Sequence, residues 1–136
     1  MQLLQQNTDV IVSGTSHGSG TDADLPCIPF PATASSISAQ FGSLLSTSHC
    51  SSRDDFKNSC PELDLVLEIA SSIPGFAGGR LQGGGFGGST IHLVDTSVTD
   101  IEEFQRALLE KYKIATGMET SAFAVFPGEG ATCGTL

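Results

Sequence analysis

The run Gly78-Gly79-Arg80-Leu81-Gln82-Gly83-Gly84-Gly85-Phe86-Gly87-Gly88-Ser89 decides how the rest of the chain is read. Half of the 16 glycines fall between Gly75 and Gly88, so glycine marks one backbone site rather than general flexibility. Glycine reaches positive φ without steric cost and lets a ligand or another backbone come close. Successive N–H groups in such a turn can form an anion-binding nest. Two standard phosphate motifs do not apply. No Lys follows the glycines, so there is no G-x-x-x-x-G-K-[ST] loop. Gly83, Gly85 and Gly88 match G-x-G-x-x-G in form, but the run leads into a strand rather than a helix, outside any dinucleotide-binding βαβ unit. On glycine content alone the run is either a tight ligand-free hairpin or a phosphate-side loop. Phe86, a lone apolar residue among glycines, would anchor it to the core or to a neighbouring domain.

The flanks are strands. Ala77 to Gln82 leads into the glycines, and Ser89-Thr90-Ile91-His92-Leu93-Val94 is β-branched and apolar after them. Upstream, Ser59 with Glu62 three residues later makes a capping box, Pro61 suits a first turn, and Leu63, Val66, Leu67, Ala70 and Ile73 form an apolar stripe ended by Pro74-Gly75. Further upstream, Ile37, Phe41, Leu44, Leu45 and Ser48 share one helical face. Downstream, Thr99 with Glu102 makes a second capping box. Ile101, Phe104, Leu108, Tyr112 and Ala115 form the stripe, Glu102 can pair with Arg106, and Gly117 ends the helix in the left-handed conformation. Ala122 to Phe126 is a last strand. From about Ser36 the order is helix, helix, strand, glycine loop, strand, helix, strand. That order predicts an α+β fold, a mostly antiparallel sheet with helices packed on one face.

Residues 1–35 read as an atypical segment rich in Gly, Ser and Pro, set apart from a domain at 36–136. Val10-Ile11-Val12 could make a short strand. Ser13 to Asp24 reads as a loop or disordered linker, and Pro26, Pro29 and Pro31 as an extended connector. The net charge of −9, with six scattered Lys and Arg, argues against nucleic acid. No apolar run is long enough to span a bilayer, and no signal peptide is visible, so the location expected is cytoplasmic. Cys27, Cys50, Cys60 and Cys133 form no C-x-x-C pair and are expected as reduced thiols. Asp54-Asp55 beside Arg53 read as solvated or domain-packing charges rather than a metal site. His49 and Cys50, adjacent on a helix, point about 100° apart and do not make a nucleophile pair. His92 reads as a satisfied or edge residue within a strand.

Several ordered motifs are shared with a known family. Phe41-Gly42, Ser48-His49, Ser52-Arg53-Asp54-Asp55-Phe56, Ser59-Cys60-Pro61-Glu62-Leu63-Asp64 and Gly79 to Gly88 resemble the C-terminal part of galactokinases, members of the GHMP kinases. There SH-x-S-x-RDD(Y/F) and SCPELD precede a third motif of the form GGGFGG. Tyr112, Thr116-Gly117 and Pro127 to Ala131 are similar to the family's ending. The resemblance runs from about Ala39 to Cys133. It departs at Gln82, where the family carries Thr or Ser, and residues 1–35 match nothing in it.

The resemblance implies a ferredoxin-like GHMP kinase C-terminal domain. It implies ATP and Mg²⁺ as cofactors, a galactose-like sugar as substrate, and phosphoryl transfer to the sugar C1 hydroxyl in the intact enzyme. Gly83, Gly84, Gly85, Gly87 and Gly88 would then border the nucleotide phosphates, supporting rather than performing the chemistry. The family's sugar-binding signature, its GLSSSA phosphate motif and its catalytic Asp lie in an N-terminal domain whose motifs are not found in these 136 residues. No catalytic residue and no metal ligand is assigned here, and the chain alone is expected to be inactive. The alternative is a non-catalytic nucleotide- or protein-binding module of the same fold.

Overall fold

The computed structural model describes residues 8–15, 37–126 and 133–134. Strand β1 is Thr8–Thr15. Helices α1 (Ile37–Asp54) and α2 (Pro61–Ser71) follow, then strands β2 (Phe76–Gln82) and β3 (Gly88–Asp95), helix α3 (Ile101–Thr116) and strand β4 (Ser121–Val125). The strands form one sheet in the order β2-β3-β1-β4, every neighbouring pair antiparallel. From Ser36 onward the element order is the one expected.

The N-terminal segment departs from expectation. The sequence sets 1–35 apart from the domain, yet Thr8–Thr15 lies inside the sheet. Val10 pairs with Leu93 on one side and Val125 on the other, and Val12 with Ile91 and Phe123. A strand paired on both edges belongs to the sheet, so a boundary at 36 cuts through it. The reason is backbone pairing, which composition does not report. The linker expected from Ser13 to Asp24 is instead strand through Thr15; its remainder and the Pro26–Pro31 connector lie outside the described residues.

Helices α2 and α3 pack over one face of the sheet. Val66 and Ala70 of α2, with Ile73 just after it, meet Val94 of β3 and Phe104, Leu108 and Tyr112 of α3. All five residues of the expected α2 stripe are buried. In α3 the stripe holds at Phe104, Leu108 and Tyr112, while Ala115 is exposed. Both helix starts fall one residue later than the capping boxes place them. Cys60, extended and without a side-chain cap bond, precedes Pro61, and the Ser59 hydroxyl donates instead to the Asp64 carboxylate. Asp100 caps α3 by accepting from the Glu102 N–H at 2.8 Å. Gly117 closes α3 at φ 71°, its N–H reaching the Lys113 carbonyl.

Helix α1 is the second correction. Phe41 and Leu44 of its expected apolar face are 43% and 66% exposed. The face that packs carries Gly42, Ser46 and His49, and it lies along the edge strand β2. A Cβ on Gly42 would stand 1.9 Å from the Ala77 carbonyl oxygen, and one on Gly78 would stand 2.0 Å from the Gly42 oxygen. Backbone therefore meets backbone, and apolar side chains are turned outward. Beyond that contact the Gly79 N–H donates to Ser46 Oγ at 3.2 Å and the Leu81 N–H to His49 Nδ1 at 3.3 Å. Arg80 Nη1 reaches Ser48 Oγ at 3.0 Å. The outward donors of an edge strand, an aggregation liability when left open, are taken by helix side chains.

Of the two alternatives for His92 the edge position is excluded, since β3 lies inside the sheet. His92 is fully buried on β3, 2.8 Å from Thr90 Oγ1. Burial pushes its pKa down to about 3. The expectation of four reduced thiols fails at Cys50, which is disulfide-bonded, whereas Cys60 and Cys133 are free.

Two outcomes follow from this packing. Gly42→Ala should destabilise the chain by roughly 3 kcal/mol, since the clash is with backbone that cannot rotate away, and urea denaturation measures it. The folded His92 binds its proton less readily than the unfolded chain does. Its contribution to stability is therefore complete above pH 6.5 and is lost as pH falls toward 3. Urea midpoints compared between wild type and His92→Gln should diverge over that window, by up to about 1.4 kcal/mol per pH unit.

Candidate functional site

The five residues Gly83 to Gly87 link β2 to β3, and Gln82 pairs with Ser89 at the base of the turn. The backbone has φ of 76° at Gly83, 84° at Gly85, 60° at Phe86, 128° at Gly87 and 95° at Gly88. Four glycines at positive φ, with a non-glycine among them, account for the composition of the run. Of the five glycines assigned from the sequence, Gly83, Gly84, Gly85 and Gly87 lie in the turn and Gly88 opens β3. Phe86 is 65% exposed, so of its two expected roles the anchor to the core is excluded.

The glycines do not serve one purpose. At Gly85 a Cβ would stand 1.9 Å from the Asn58 carbonyl oxygen, so glycine is required by packing against the α1–α2 link. At Gly83, Gly84 and Gly88 a Cβ would meet nothing within 4 Å. Those three border open space, and Gly84 does so without positive φ. Glycine there is not explained by contacts within the described residues.

Asn58 holds the tip of the turn and was not legible beforehand. Its carbonyl accepts from the Phe86 N–H at 2.7 Å, and its side-chain amide donates to the Gly84 carbonyl at 3.1 Å. Asn58 is buried at 8% exposure. A single polar residue in an irregular link gives no periodic signal, so only the fold discloses it. At the base, Ser89 Oγ donates to Gln82 Oε1 over a long 3.4 Å, which gives the Gln82 departure a polar role between strands.

Behind the turn lies a buried polar chain. His49 Nε2 is 3.1 Å from Asp64 Oδ1, and Ser59 Oγ donates to the same oxygen at 2.5 Å. Asp64 lies in the first turn of α2 and reaches across to His49 of α1. The expected exclusion of a His49–Cys50 pair is consistent with His49 facing β2 and α2. Asp54 sits in a two-pronged contact with Arg53, at 2.7 and 3.0 Å, and this holds its carboxyl below the usual carboxylate range. Asp55 accepts from Ser51 Oγ at 2.8 Å. Both acids are thus absorbed at the end of α1. Among the described residues no cluster of His, Cys, Asp or Glu could hold a metal ion. No described helix is long and apolar enough to cross a membrane.

An open groove of about 600 Å³ runs along α3 past Glu102, Arg106, Lys113 and Glu119. It shares no residue with the turn. Lys113 and Glu119 pair across it at 2.8 Å, raising the lysine pKa and lowering that of the carboxyl.

No family model matches the chain. Curated relatives do. The galactokinase of Chloroflexus aurantiacus is 38% identical over 94 residues, 69% of this chain and 24% of that protein. That of Fusobacterium nucleatum is 40% identical over 93 residues, 68% of this chain and 23% of that protein. That of the dog is 54% identical over 59 residues, 43% of this chain and 15% of that protein. Among solved structures, Lactococcus lactis galactokinase complexed with galactose superposes with a TM-score of 0.69 at 22% identity. It covers 96% of this chain and 48% of that one. The chain spans about a quarter of the length of the curated relatives it matches. By these matches the chain is galactokinase-like over about two thirds of its length.

Proposed function

We propose that the chain is the ferredoxin-like C-terminal domain of a GHMP-type galactokinase and supplies one wall of an ATP site. The strand order β2-β3-β1-β4, built from two split β-α-β units, supports the ferredoxin-like reading. The observation that carries the functional reading is the open space over Gly83, Gly84 and Gly88, in a turn fixed at its tip by Asn58. Exposed glycine backbone held rigidly is what a polyphosphate needs for close approach, because N–H groups can then point at it without side chains in the way. Bound ATP would supply the transferable γ-phosphoryl group.

In this reading the turn borders the phosphates and keeps one side of them from water. It transfers no proton. The described residues offer no cluster for Mg²⁺, so that ion would arrive with the nucleotide or be held by a second domain. Phosphoryl transfer to a galactose-like sugar rests on positioning and charge stabilisation, and one wall does not provide them. The isolated chain is therefore inactive in this proposal. Exposed Phe86 fits the remaining expectation, an anchor to a neighbouring domain. Gln82 favours a second reading, a non-catalytic nucleotide- or protein-binding module, since it alters the base of the turn where the family carries Thr or Ser.

A hybrid tests the first reading: Fusobacterium nucleatum galactokinase with its matched segment replaced by the corresponding 93 residues of this chain. It should phosphorylate galactose, while the isolated chain should not. Gly84→Val in the hybrid should leave the melting temperature unchanged and raise the KM for ATP about tenfold, equivalent to about 1.4 kcal/mol of lost binding. A hybrid that folds cooperatively but has no affinity for ATP would sink the proposal. Heat from Mg-ATP binding to the isolated chain without turnover would favour the module.

A further inference from the structure

We infer that His49 is the positioning residue of the glycine-rich turn, held in one tautomer by Asp64 so that its Nδ1 receives the N–H at the root of the turn. The inference rests on reading the turn as the nucleotide-side wall. Three elements meet at the ring: α1 carries His49, α2 carries Asp64, and β2 carries Leu81. The Leu81 backbone N–H can only donate, so Nδ1, 3.3 Å away, must be without a proton. The Nε2 side faces Asp64 Oδ1 at 3.1 Å, and a carboxylate accepts, so Nε2 carries the hydrogen. Ser59 Oγ donates to the same carboxylate oxygen and fixes it from the α1–α2 link.

The ring thus ties two helices to the last buried residue before the turn, since Leu81 is wholly buried and Gln82 is exposed. Asn58 fixes the tip from the same link that holds Ser59, one residue away. Root and tip are therefore hung from one short stretch of chain. The positioning is indirect: His49 acts through the Leu81 amide.

The test is nuclear magnetic resonance on the whole chain. Ring nitrogen shifts in the wild type should show a protonated Nε2 and a bare Nδ1 at His49. His49→Phe keeps the ring and removes both nitrogens. It should speed amide exchange at Leu81 and at residues 83–88 about tenfold, with the β1–β3 ladder unchanged. His49→Asn, whose amide oxygen can reach the position of Nδ1, should restore protection at Leu81. A ring protonated at Nδ1 in the wild type would overturn the inference, and this measurement stands even where His49→Phe fails to fold. So would unchanged exchange in the turn of a folded His49→Phe, or a uniform rise over α1, α2 and β2 that Asn does not reverse. Mg-ATP added to the wild type is the separate arm. No shift at residues 83–88, together with a loosened turn in His49→Phe, defeats the nucleotide reading and leaves the positioning role standing.

Discussion

The close approach of α1 to β2 is the constraint on which the rest depends. Gly42 and Gly78 face each other with no room for a Cβ on either. That proximity lets short side chains, Ser46 and His49, reach the N–H groups of an edge strand. Longer residues at Gly42 or Gly78 would hold the helix off, and the edge donors would be left to water. The helix also ends beside the link that carries Asn58 and Ser59, so the same contact sets where the glycine turn is braced. A helix more often joins a sheet through an apolar stripe. Here the joint is polar and backbone-tight, and the apolar residues Phe41 and Leu44 face outward.

This explains which parts of the fold could be read from the residues. The stripes of α2 and α3 were legible because burial against a core imposes a 3.6-residue repeat on apolar side chains, and Leu63, Val66, Leu67, Phe104 and Leu108 obey it. The same rule failed for α1, whose packed face is chosen for smallness rather than for apolarity. The glycine turn was legible because positive φ is confined almost wholly to glycine, although Phe86 shows that one residue can be carried along at φ 60°. The division of labour among those glycines was not legible. Gly85 is shaped by Asn58 and Gly84 by open space, and both are spelled with the same letter. The helix starts were each misplaced by one residue, because Ser59 and Thr99 are good caps by type while Cys60 and Asp100 occupy the position.

Several of the buried polar groups pair with a group on another element or strand position. Thr90 and His92 meet on β3, and Asp64 joins His49 and Ser59. Buried polar atoms carry a heavy penalty when unpaired, so such groups fix a register more strictly than apolar contacts do. In this chain they cluster near β2 and β3, the two strands that the glycine turn connects. The apolar core under α2 and α3 supplies bulk stabilisation, and the polar set supplies the alignment of the hairpin.

The central place of β1 bears on how the molecule is assembled during synthesis. Of the described strands β1 is made first, yet its partners are β3 from Gly88 onward and β4 from Ser121 onward. β1 therefore waits unpaired on both edges, gaining its first partner when β3 emerges and its second only with β4. Such distant pairings are slow to form, and nascent chains in that condition are natural clients for chaperones.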